Sequence, residues 1–274
     1  MLVSEWLNQA TAQLRAANIP SAQLDAEIIL AHTLLKGRTY LHAHNEAPLD
    51  PHRREIADAR LQLRLERTPI AYIVGHKEFY GRTFRVSPAT LIPRPESEDI
   101  ITLLKEVALQ SAARLVDVGT GSGCLGITAK LELPHLDVTL LDISQHALTV
   151  AQKNAQKLHA DVEILRSNLL ESYPFYATII LANLPYVDPT WSRSPETAHE
   201  PDIALFADEH GLHLINKLIA QTSTHLVSGG YLFLEADPRQ HQAIITAAQN
   251  HGLSVAKIQG FIICLKKDLT FIRS

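Results

Sequence analysis

The sequence predicts an α/β protein in which a helical N-terminal domain and a β-hairpin precede a mostly parallel seven-stranded sheet. From residue 114 onward, short apolar runs alternate with segments of helical period, the pattern of a parallel sheet covered on both faces. The last two apolar runs are separated only by Gly260, so they can pair only as an antiparallel hairpin. A parallel sheet that ends in an antiparallel strand is therefore expected.

Composition and length bound the class of protein. A chain of 274 residues exceeds the usual roughly 100–200 residues of one domain, so one large domain or two unequal ones are expected. No run approaches the ~18 apolar residues of a membrane span, and the N-terminus lacks a signal-peptide core. We expect a cytoplasmic protein with no membrane partner.

Metal and nucleic-acid functions are not favoured. Cys124 and Cys264 are the only cysteines, too few for a disulfide framework or a cysteine-based metal site, and the histidines are scattered. The net charge of −4 argues against a stable nucleic-acid complex, which needs a basic face. We expect no metal, and a protein or small molecule as the partner.

Residues 1–75 carry three amphipathic segments and are predicted to form a helical domain. Ser4 is placed to cap the first helix, and Ser21 opens the second. Asp50, followed by a proline at the first helical position, is placed to cap the third. The expected buried face of the second helix consists of Leu24, Ile28, Ala31 and Leu35.

The third helix carries a row of arginines that includes Arg53, Arg60 and Arg67. Interspersed acidic residues favour a solvated face. The alternative is a docking surface for an acidic partner.

Residues 76–93 are predicted to link the domains as a β-hairpin, because residues 79–86 suggest two short strands around a Gly-containing turn. The two prolines within residues 91–98 are expected to exclude helix and stiffen the chain. The α/β domain is expected over 94–274. Its predicted strands are 114–118, 138–142, 162–165, 178–182, 231–235, 254–258 and 261–266, and its helices 124–132, 144–158, 211–227 and 239–250.

A glycine-rich turn, Gly119-Thr120-Gly121-Ser122-Gly123, follows the first strand of the sheet. Glycines there let the backbone approach a ligand and adopt positive φ without steric cost. Residues 121–126 also fit the dinucleotide fingerprint G-x-G-x-x-G. As a pattern, the turn does not distinguish NAD from other adenosine ligands.

Polar residues around the turn do distinguish them. Asp117 ends the first strand, and a carboxylate there suits a cationic ligand better than a pyrophosphate. Asp142 ends the second strand, placed to accept both ribose hydroxyls. Asn168 follows the third strand, where an amide can bind the adenine edge. An adenosine ligand with a positive charge and an amino-acid tail is S-adenosylmethionine.

Asn183-Leu184-Pro185-Tyr186 follows the buried strand 178–182 and is poor strand material. The Asn183 side chain and the Leu184 carbonyl can accept the two N–H hydrogens of a planar amide or amine, and the Tyr186 ring can stack on its plane. The motif offers no general base, so catalysis would depend on orienting the nitrogen.

With these motifs in this order, the chain resembles the class I S-adenosylmethionine-dependent methyltransferases. More closely, it is similar to the protein glutamine N5-methyltransferases that modify peptide chain release factors. The resemblance also includes Leu91-Ile92-Pro93-Arg94-Pro95-Glu96 and His199-Glu200-Pro201 with Ala204-Leu205-Phe206. It implies a Rossmann-like class I methyltransferase sheet and methyl transfer from S-adenosylmethionine to the glutamine of a Gly-Gly-Gln loop in a release factor, by a monomer.

The resemblance also implies roles for particular residues. Asn183, Pro185 and Tyr186 would be catalytic, and they would bind the substrate together with Leu184. The implied cofactor-binding residues are Arg94, Asp117, Gly119, Thr120, Gly121, Ser122, Gly123, Asp142, Asn168, Leu169 and Asn183.

Three departures from the family pattern stand out: Leu184 replaces a proline, Asn168 replaces an acidic residue, and Ala236-Asp237 replaces an aliphatic residue and Gly. Three other functions fit the motifs. They are a glutamine methyltransferase of a ribosomal protein, an N6-adenine or N2-guanine methyltransferase, and an idle S-adenosylmethionine-binding module.

Overall fold

The computed structural model describes residues 1–107 and 113–269, and these fall into two compact units. The first unit contains Met1–His76 and Arg193–His199, and the second contains Lys77–Ser192 and the chain from Glu200 onward. Residues 270–274, the end of the predicted α/β domain, and residues 108–112 within it lie outside the described residues.

The first unit is helical. Its core is built from apolar side chains that include Trp6, Leu14, Ile29 and Leu30. The three predicted helices are confirmed as α1, α2 and α4, and two short helices were not predicted. The helices are α1 (Val3–Ala16), α2 (Ala22–Leu34), α3 (Arg38–Ala43), α4 (Pro51–Leu65) and α5 (Ile70–Val74).

One predicted helix cap is wrong. Helix α1 already includes Ser4, and the preceding Leu2 occupies the cap position, with its backbone N–H donating to Glu5 at 2.7 Å. The prediction for α4 is confirmed, because the Asp50 side chain accepts from the backbone N–H of Arg53 at 2.9 Å. In α1, the carboxylate of Glu5 at the third helical position thus takes the place of a capping hydroxyl.

The predicted buried face of α2 is wrong in part. Ala31 is buried as predicted and Ile28 is half-buried, but Leu24 is 43% exposed and Leu35 74% exposed. The helix buries Ile29 and Leu30 as well. The helix is rotated because its buried side includes Asp25, whose carboxylate accepts from Nε of Arg64 at 2.7 Å. Hydrophobic spacing alone does not anticipate a buried ion pair.

Arg53 and Arg60 of α4 have hydrogen-bond partners within the first unit, and so does Arg67, which lies just beyond the end of α4 and not on it as predicted. Arg53 donates to the carbonyl of Thr33 at 2.9 Å, and Arg60 donates to the hydroxyl of the same residue at 2.8 Å. Arg67 donates to the carbonyl of Ala17 at 2.5 Å. These side chains are half-buried tethers between helices, so the expected solvated face is wrong for them.

The second unit holds the predicted hairpin strands, β1 (His76–Phe79, which starts at the end of the first unit) and β2 (Arg82–Arg85). The expectation that the prolines exclude helix is wrong after Pro95. Residues Pro95–Ser97 form a 3₁₀ turn, and α6 (Glu98–Glu106) continues it. Pro95 opens this turn at its first position, where its fixed φ favours a helix start and its missing N–H costs nothing.

The seven-stranded sheet is confirmed. Its strand order is β5-β4-β3-β6-β7-β9-β8; β3 to β7 are parallel, and β9 runs antiparallel to β7 and β8. The strand β7 starts five residues before its predicted beginning at 231. The strands are β3 (Arg114–Val118), β4 (Asp137–Asp142), β5 (Glu163–Arg166), β6 (Ala177–Ala182), β7 (Leu226–Glu235), β8 (Leu253–Gln259) and β9 (Ile262–Lys267).

Helices cover both faces of the sheet. One core cluster contains Val116 and Ile180 with residues of the last two helices, and the other contains Leu115 and Ile179 with residues of α6 and the first helices after β3. Adjacent strand residues therefore point to opposite cores. The helices are α7 (Cys124–Glu132), α8 (Gln145–Leu158), the single turn α9 (Asp208–Gly211), α10 (His213–His225) and α11 (His241–Gln249).

The strand order reverses between β3 and β6, because the chain extends the sheet through β4 and β5 on one side before returning to the other. In open α/β sheets, ligands bind outside the carboxyl ends of the strands at such a reversal. The glycine-rich turn follows β3 and Asn183 follows β6, so both motifs lie at this point.

Candidate functional site

A cavity of about 210 Å³ opens at the carboxyl ends of the strands, within the second unit. This is far more than the ~10–15 Å³ that one water molecule needs, so the space suits an organic ligand. Its wall comes from the segments before α6, the glycine-rich turn, the ends of β4 to β6 and the segment 201–204. The predicted site residues that line it are Arg94, Gly119, Thr120, Gly121, Ser122, Asp142, Asn168, Leu169, Asn183, Leu184 and Pro185. Asp117, Gly123 and Tyr186 are not among the lining residues.

The turn after β3 needs glycine for steric reasons. Gly119 has a φ of 72°, and a Cβ there would lie 2.9 Å from Cδ2 of Leu184. Gly123 has a φ of 82°, and its Cβ would lie 2.7 Å from Cδ1 of Ile127. The turn therefore packs against both the Asn183–Tyr186 segment and α7, which brings the two sequence motifs together.

Asp117 holds the turn from behind the cavity wall. It is 1% exposed, and its Oδ2 accepts from the Thr120 hydroxyl at 2.6 Å and from the Gly126 N–H at 2.9 Å. Burial raises the pKa of this carboxyl to about 6, although both hydrogen bonds oppose the rise. Its other oxygen, Oδ1, is buried without a partner among the described residues.

Asp142 faces the cavity from the end of β4. Its two oxygens accept from the backbone N–H groups of Gly121 at 2.9 Å and Ser144 at 2.8 Å. Burial raises the pKa of the carboxyl, and these bonds act against the rise. A carboxylate has about four acceptor positions, so two remain for the paired hydroxyls of a ribose.

Asn168 and Leu169 line the cavity beyond β5. Nδ2 of Asn168 donates to Glu171 at 2.9 Å, which leaves the amide oxygen to accept from a ligand. An amide oxygen suits the exocyclic amine of adenine. Leu169 is 7% exposed and supplies apolar wall.

Arg94 lines the cavity and is held by Glu200. One guanidinium nitrogen lies 2.5 Å from Oε1 of that carboxylate, whose other oxygen accepts from the Ile92 N–H at 3.1 Å. The buried Glu200 thereby fixes the segments before α6 and after residue 200 against each other.

Asn183 reaches the cavity with a defined hydrogen-bond partner. Its Nδ2 donates to the hydroxyl of Ser97 at 3.0 Å, and that hydroxyl donates to Oε2 of Glu235 at 2.5 Å. Ser97 also lines the cavity.

The other residues of the Asn183–Tyr186 segment lie partly on the cavity wall and partly against the core. Leu184 is 3% exposed, and Pro185 lies beside it on the cavity wall. Tyr186 donates its hydroxyl to Oε1 of Glu235 at 3.2 Å, and its carbonyl accepts from Gln240 at 2.8 Å. Burial, reinforced by the Glu235 carboxylate, raises the pKa of Tyr186. The stacking role predicted for the Tyr186 ring stays a prediction.

Sequence reasoning missed Ser97 and Glu235, and it included Glu200 only as part of a resemblance. A signal for Glu235 was present, since it is an acidic residue that ends an apolar strand, as Asp117 and Asp142 do. Ser97 gave no such signal, because its partners lie far away in the sequence.

Residues 1–107 and 113–269 contain no group of three or more His, Cys, Asp or Glu side chains placed to hold a metal ion. None of their helices combines the length and apolar character needed to cross a membrane.

Family models match both parts of the chain. The PrmC N-terminal domain model matches residues 5–75, and the methyltransferase small domain model matches residues 100–200. Among solved structures, a methyltransferase from Pyrococcus furiosus aligns with a TM-score of 0.53 at 18% identity, covering 77% of this chain and 98% of that one. That likeness concerns the fold, and it confirms the predicted methyltransferase sheet.

Curated relatives extend the match over nearly the whole chain. The release factor glutamine methyltransferase of Koribacter versatilis is 38% identical over 249 residues, which cover 87% of this chain and 89% of the relative. The enzyme of the same name from Escherichia coli is 34% identical over 248 residues, 89% of each chain. The prediction of an S-adenosylmethionine-dependent methyltransferase is thereby confirmed. The chain belongs to the release factor glutamine methyltransferase family.

Proposed function

We propose that this protein transfers a methyl group from S-adenosylmethionine to the side-chain amide nitrogen, N5, of the glutamine in the Gly-Gly-Gln motif of a peptide chain release factor. The observation that carries the proposal is the placement of Asn183. Its side chain borders the cavity beside the glycine-rich turn, and its NH₂ group is already engaged by Ser97. The free oxygen of Asn183 can accept an N–H of a substrate amide.

The cavity fits the proposed cofactor. Asp142 offers acceptors for ribose hydroxyls, Asn168 offers an amide oxygen for adenine, and Leu169 offers an apolar surface. When bound, S-adenosylmethionine supplies a methyl group activated by the positive charge on sulfur. The buried carboxyl of Asp117 adds negative potential near the turn, which favours a cationic ligand.

The chain's own residues then orient the nucleophile. An amide nitrogen is weakly nucleophilic because its lone pair is delocalised into the carbonyl. The Asn183 oxygen and the Leu184 carbonyl would hold the two N–H hydrogens and fix the nitrogen in line for attack. As the bond from the methyl group to sulfur breaks and positive charge grows on that nitrogen, these two acceptors stabilise it. The methylated nitrogen would then release one of its two protons to water. Tyr186 and Pro185 hold the segment that carries both acceptors.

The first unit is proposed to dock the release factor. Residues 1–75 build a core separate from that of the α/β unit, and they match a domain model that is distinct from the methyltransferase model. The net charge of −4 favours a protein partner over nucleic acid. A translation factor as substrate implies action in the cytoplasm.

Mass spectrometry tests the proposed function directly. A release factor incubated with the protein and S-adenosylmethionine should gain one methyl group, located on the Gly-Gly-Gln glutamine. A release factor with alanine at that position should gain none, and neither should the normal factor incubated with Asn183→Ala. Methylation at another residue, or cofactor binding without any transfer, would overturn the proposal.

A further inference from the structure

We propose that Glu235 is a positioning residue: through Ser97 and Tyr186 it fixes both ends of the Asn183–Tyr186 segment, so that the Asn183 oxygen faces the substrate amide. This inference rests on the proposed function for its kinetic consequences. Its structural content concerns which end of the Asn183 amide faces the cavity.

The direction of the hydrogen bonds between Asn183, Ser97 and Glu235 decides which end of the Asn183 amide faces the cavity. An asparagine side chain presents an oxygen acceptor on one end and an NH₂ donor on the other, and only the oxygen can receive a substrate N–H. Here Nδ2 of Asn183 donates to the Ser97 hydroxyl at 3.0 Å, and that hydroxyl donates to Glu235 at 2.5 Å. An ionised carboxylate can only accept, so it forces the hydroxyl to donate to it and leaves a lone pair for Asn183.

Ser97 itself lies on a rigid part of the chain. It is 1% exposed and closes the 3₁₀ turn Pro95–Ser97, whose first residue has the fixed φ of proline. Its backbone N–H also donates to the Arg94 carbonyl at 3.2 Å. A hydroxyl on this turn has a defined position, and it can therefore orient a neighbour.

The other end of the segment contacts the same carboxylate. Tyr186 donates its hydroxyl to Oε1 of Glu235 at 3.2 Å, while Ser97 donates to Oε2. One carboxylate thus holds residue 183 through Ser97 and residue 186 directly. The Leu184 carbonyl, the second proposed acceptor, lies between the two fixed ends.

The environment of Glu235 is unusual for a structural carboxylate. It is 2% exposed, and in the described part of the chain no lysine or arginine forms an ion pair with it. Burial raises its pKa, and the hydrogen bonds from Ser97 and Tyr186 act against the rise. The ionisable groups that act on it or titrate beside it are Glu96, Tyr186 and Cys124. Buried charges without a countercharge cluster at functional sites.

Protonation of Glu235 would undo the arrangement. A protonated carboxyl can donate to Ser97, which would release the Ser97 hydroxyl from its fixed direction and let the Asn183 amide turn its NH₂ group to the cavity. The NH₂ group of Asn183 would then face the N–H groups of the substrate amide, and no hydrogen bond could form between them. We therefore expect kcat to fall as pH decreases through the raised pKa of Glu235, and this acid limb to be absent in Glu235→Gln.

Three variants test the inference kinetically: Ser97→Ala, Glu235→Gln and the conservative Ser97→Thr. The first two should lower kcat by about 10- to 100-fold, the scale of lost orientation, with the release-factor KM and the cofactor Kd changed less than about threefold. Ser97→Thr keeps the hydroxyl and should keep most of kcat. Ser254→Ala, an exposed serine on β8, is the matched control. Circular dichroism checks folding, and Ser97→Ala retains the test if Glu235→Gln does not fold.

A second measurement does not depend on activity. In ¹⁵N NMR spectra, the Asn183 side-chain NH₂ signals, assigned by their loss in Asn183→Ala, should be protected from exchange in the natural protein and lose this protection in Ser97→Ala and Glu235→Gln. Unchanged NH₂ signals, or unchanged kcat in both variants, would overturn the inference while leaving the proposed function intact. An absence of release-factor methylation by the natural protein would instead overturn the proposed function, and the NMR result would still decide the orientation.

Discussion

Both units contain buried carboxylates, but the partners of these carboxylates differ between the two units. In the first unit, Asp25 accepts from Nε of Arg64 at 2.7 Å, and Glu196 lies 3.1 Å from a guanidinium nitrogen of the same arginine. Burial acts to raise the pKa of Glu196, but hydrogen bonds from Ser194, its own backbone N–H and Arg64 outweigh it and hold the pKa at about 2. These carboxylates are paired with a positive charge.

In the second unit, two buried carboxylates are bound by neutral donors, whereas the buried Glu200 is paired with Arg94. Asp117 is bound by a hydroxyl and a backbone N–H, and Glu235 by two hydroxyls. Burial raises the pKa of both groups. The difference indicates a division of roles: a carboxylate with a buried cation stabilises its unit, whereas one with neutral donors keeps negative potential and acceptor capacity for a site.

The largest effect is expected where a buried charge loses its partner. Arg64→Met leaves Asp25 buried without a cation, while Glu196 keeps Arg67 at 3.4 Å, and should lower the free energy of unfolding by about 3–5 kcal/mol. Chemical denaturation measures it. The control is Arg54→Met on the same helix, whose pair with Asp58 is about half exposed on both sides and should contribute no more than about 0.5 kcal/mol. Equal effects of the two variants would remove the distinction drawn for the first unit.

Asp117, which has no cationic partner among the described residues, should make the stability of the protein depend on pH, and the sign of this dependence follows from its raised pKa. The pKa of Asp117 is about 6 in the folded state, whereas its ordinary value is 3.8. Between these two pH values the folded state therefore keeps a proton that the unfolded state has lost. The contribution of Asp117 to stability is thus present below pH 3.8 and lost as pH rises through 6. By linkage, the difference in stability between the natural protein and Asp117→Asn should change by about 3 kcal/mol across this window.

Denaturation at several pH values checks this, with the exposed Asp161→Asn as the control. If the stability difference stayed constant from acid to neutral pH, the pKa of Asp117 would not be raised in the folded state.

Asn183→Ala separates a site residue from a structural one. Loss of the oriented acceptor should slow methyl transfer by a factor of order 10² or more, since the acceptor acts on the orientation of the nucleophile. The free energy of unfolding should change little, because Asn183 is half-buried and borders a cavity. Steady-state kinetics with a release factor measures the loss, and the exposed Asn250→Ala serves as the control. Near-normal turnover would contradict the proposed mechanism.

Asp142→Ala should weaken S-adenosylmethionine binding by about 1.5–3 kcal/mol, the scale of charge-assisted hydrogen bonds. Titration calorimetry measures the dissociation constant. Asp137→Ala is the control, because this exposed aspartate lies at the opposite end of the same strand. If the two variants bound the cofactor equally well, Asp142 would not contact the ribose.

The division between predictable and unpredictable features follows the distance between partners in the sequence. Short apolar runs reveal the strands, and the polar residues that follow or end them reveal Asp142 and Asn183, because each signal is contained in a few consecutive residues. The Ser97–Glu235 bond joins residues 138 positions apart, and no local pattern encodes it. The rotation of α2 has the same origin, since Arg64 stands 39 residues from Asp25. Helix α6 escapes prediction because a proline usually breaks a helix, whereas Pro95 opens the turn that precedes this one.

The smallest effect is expected at Leu184, where the chain departs from its family. Any residue at this position supplies the backbone carbonyl that is proposed to accept a substrate N–H, and Pro185 biases it toward extended geometry. We therefore expect Leu184→Pro to turn over as fast as the natural protein or modestly faster, and Pro185→Ala to be far more damaging.

The Leu184 side chain has a packing role instead. It is 3% exposed and lies against Gly119, so the shorter proline should lower the free energy of unfolding by about 1–2 kcal/mol. Denaturation and steady-state kinetics on the same preparations separate the two effects. If Leu184→Pro activated an otherwise inactive chain, the natural protein would be an idle cofactor-binding module, and the glutamine methyltransferase activity proposed for it would be wrong.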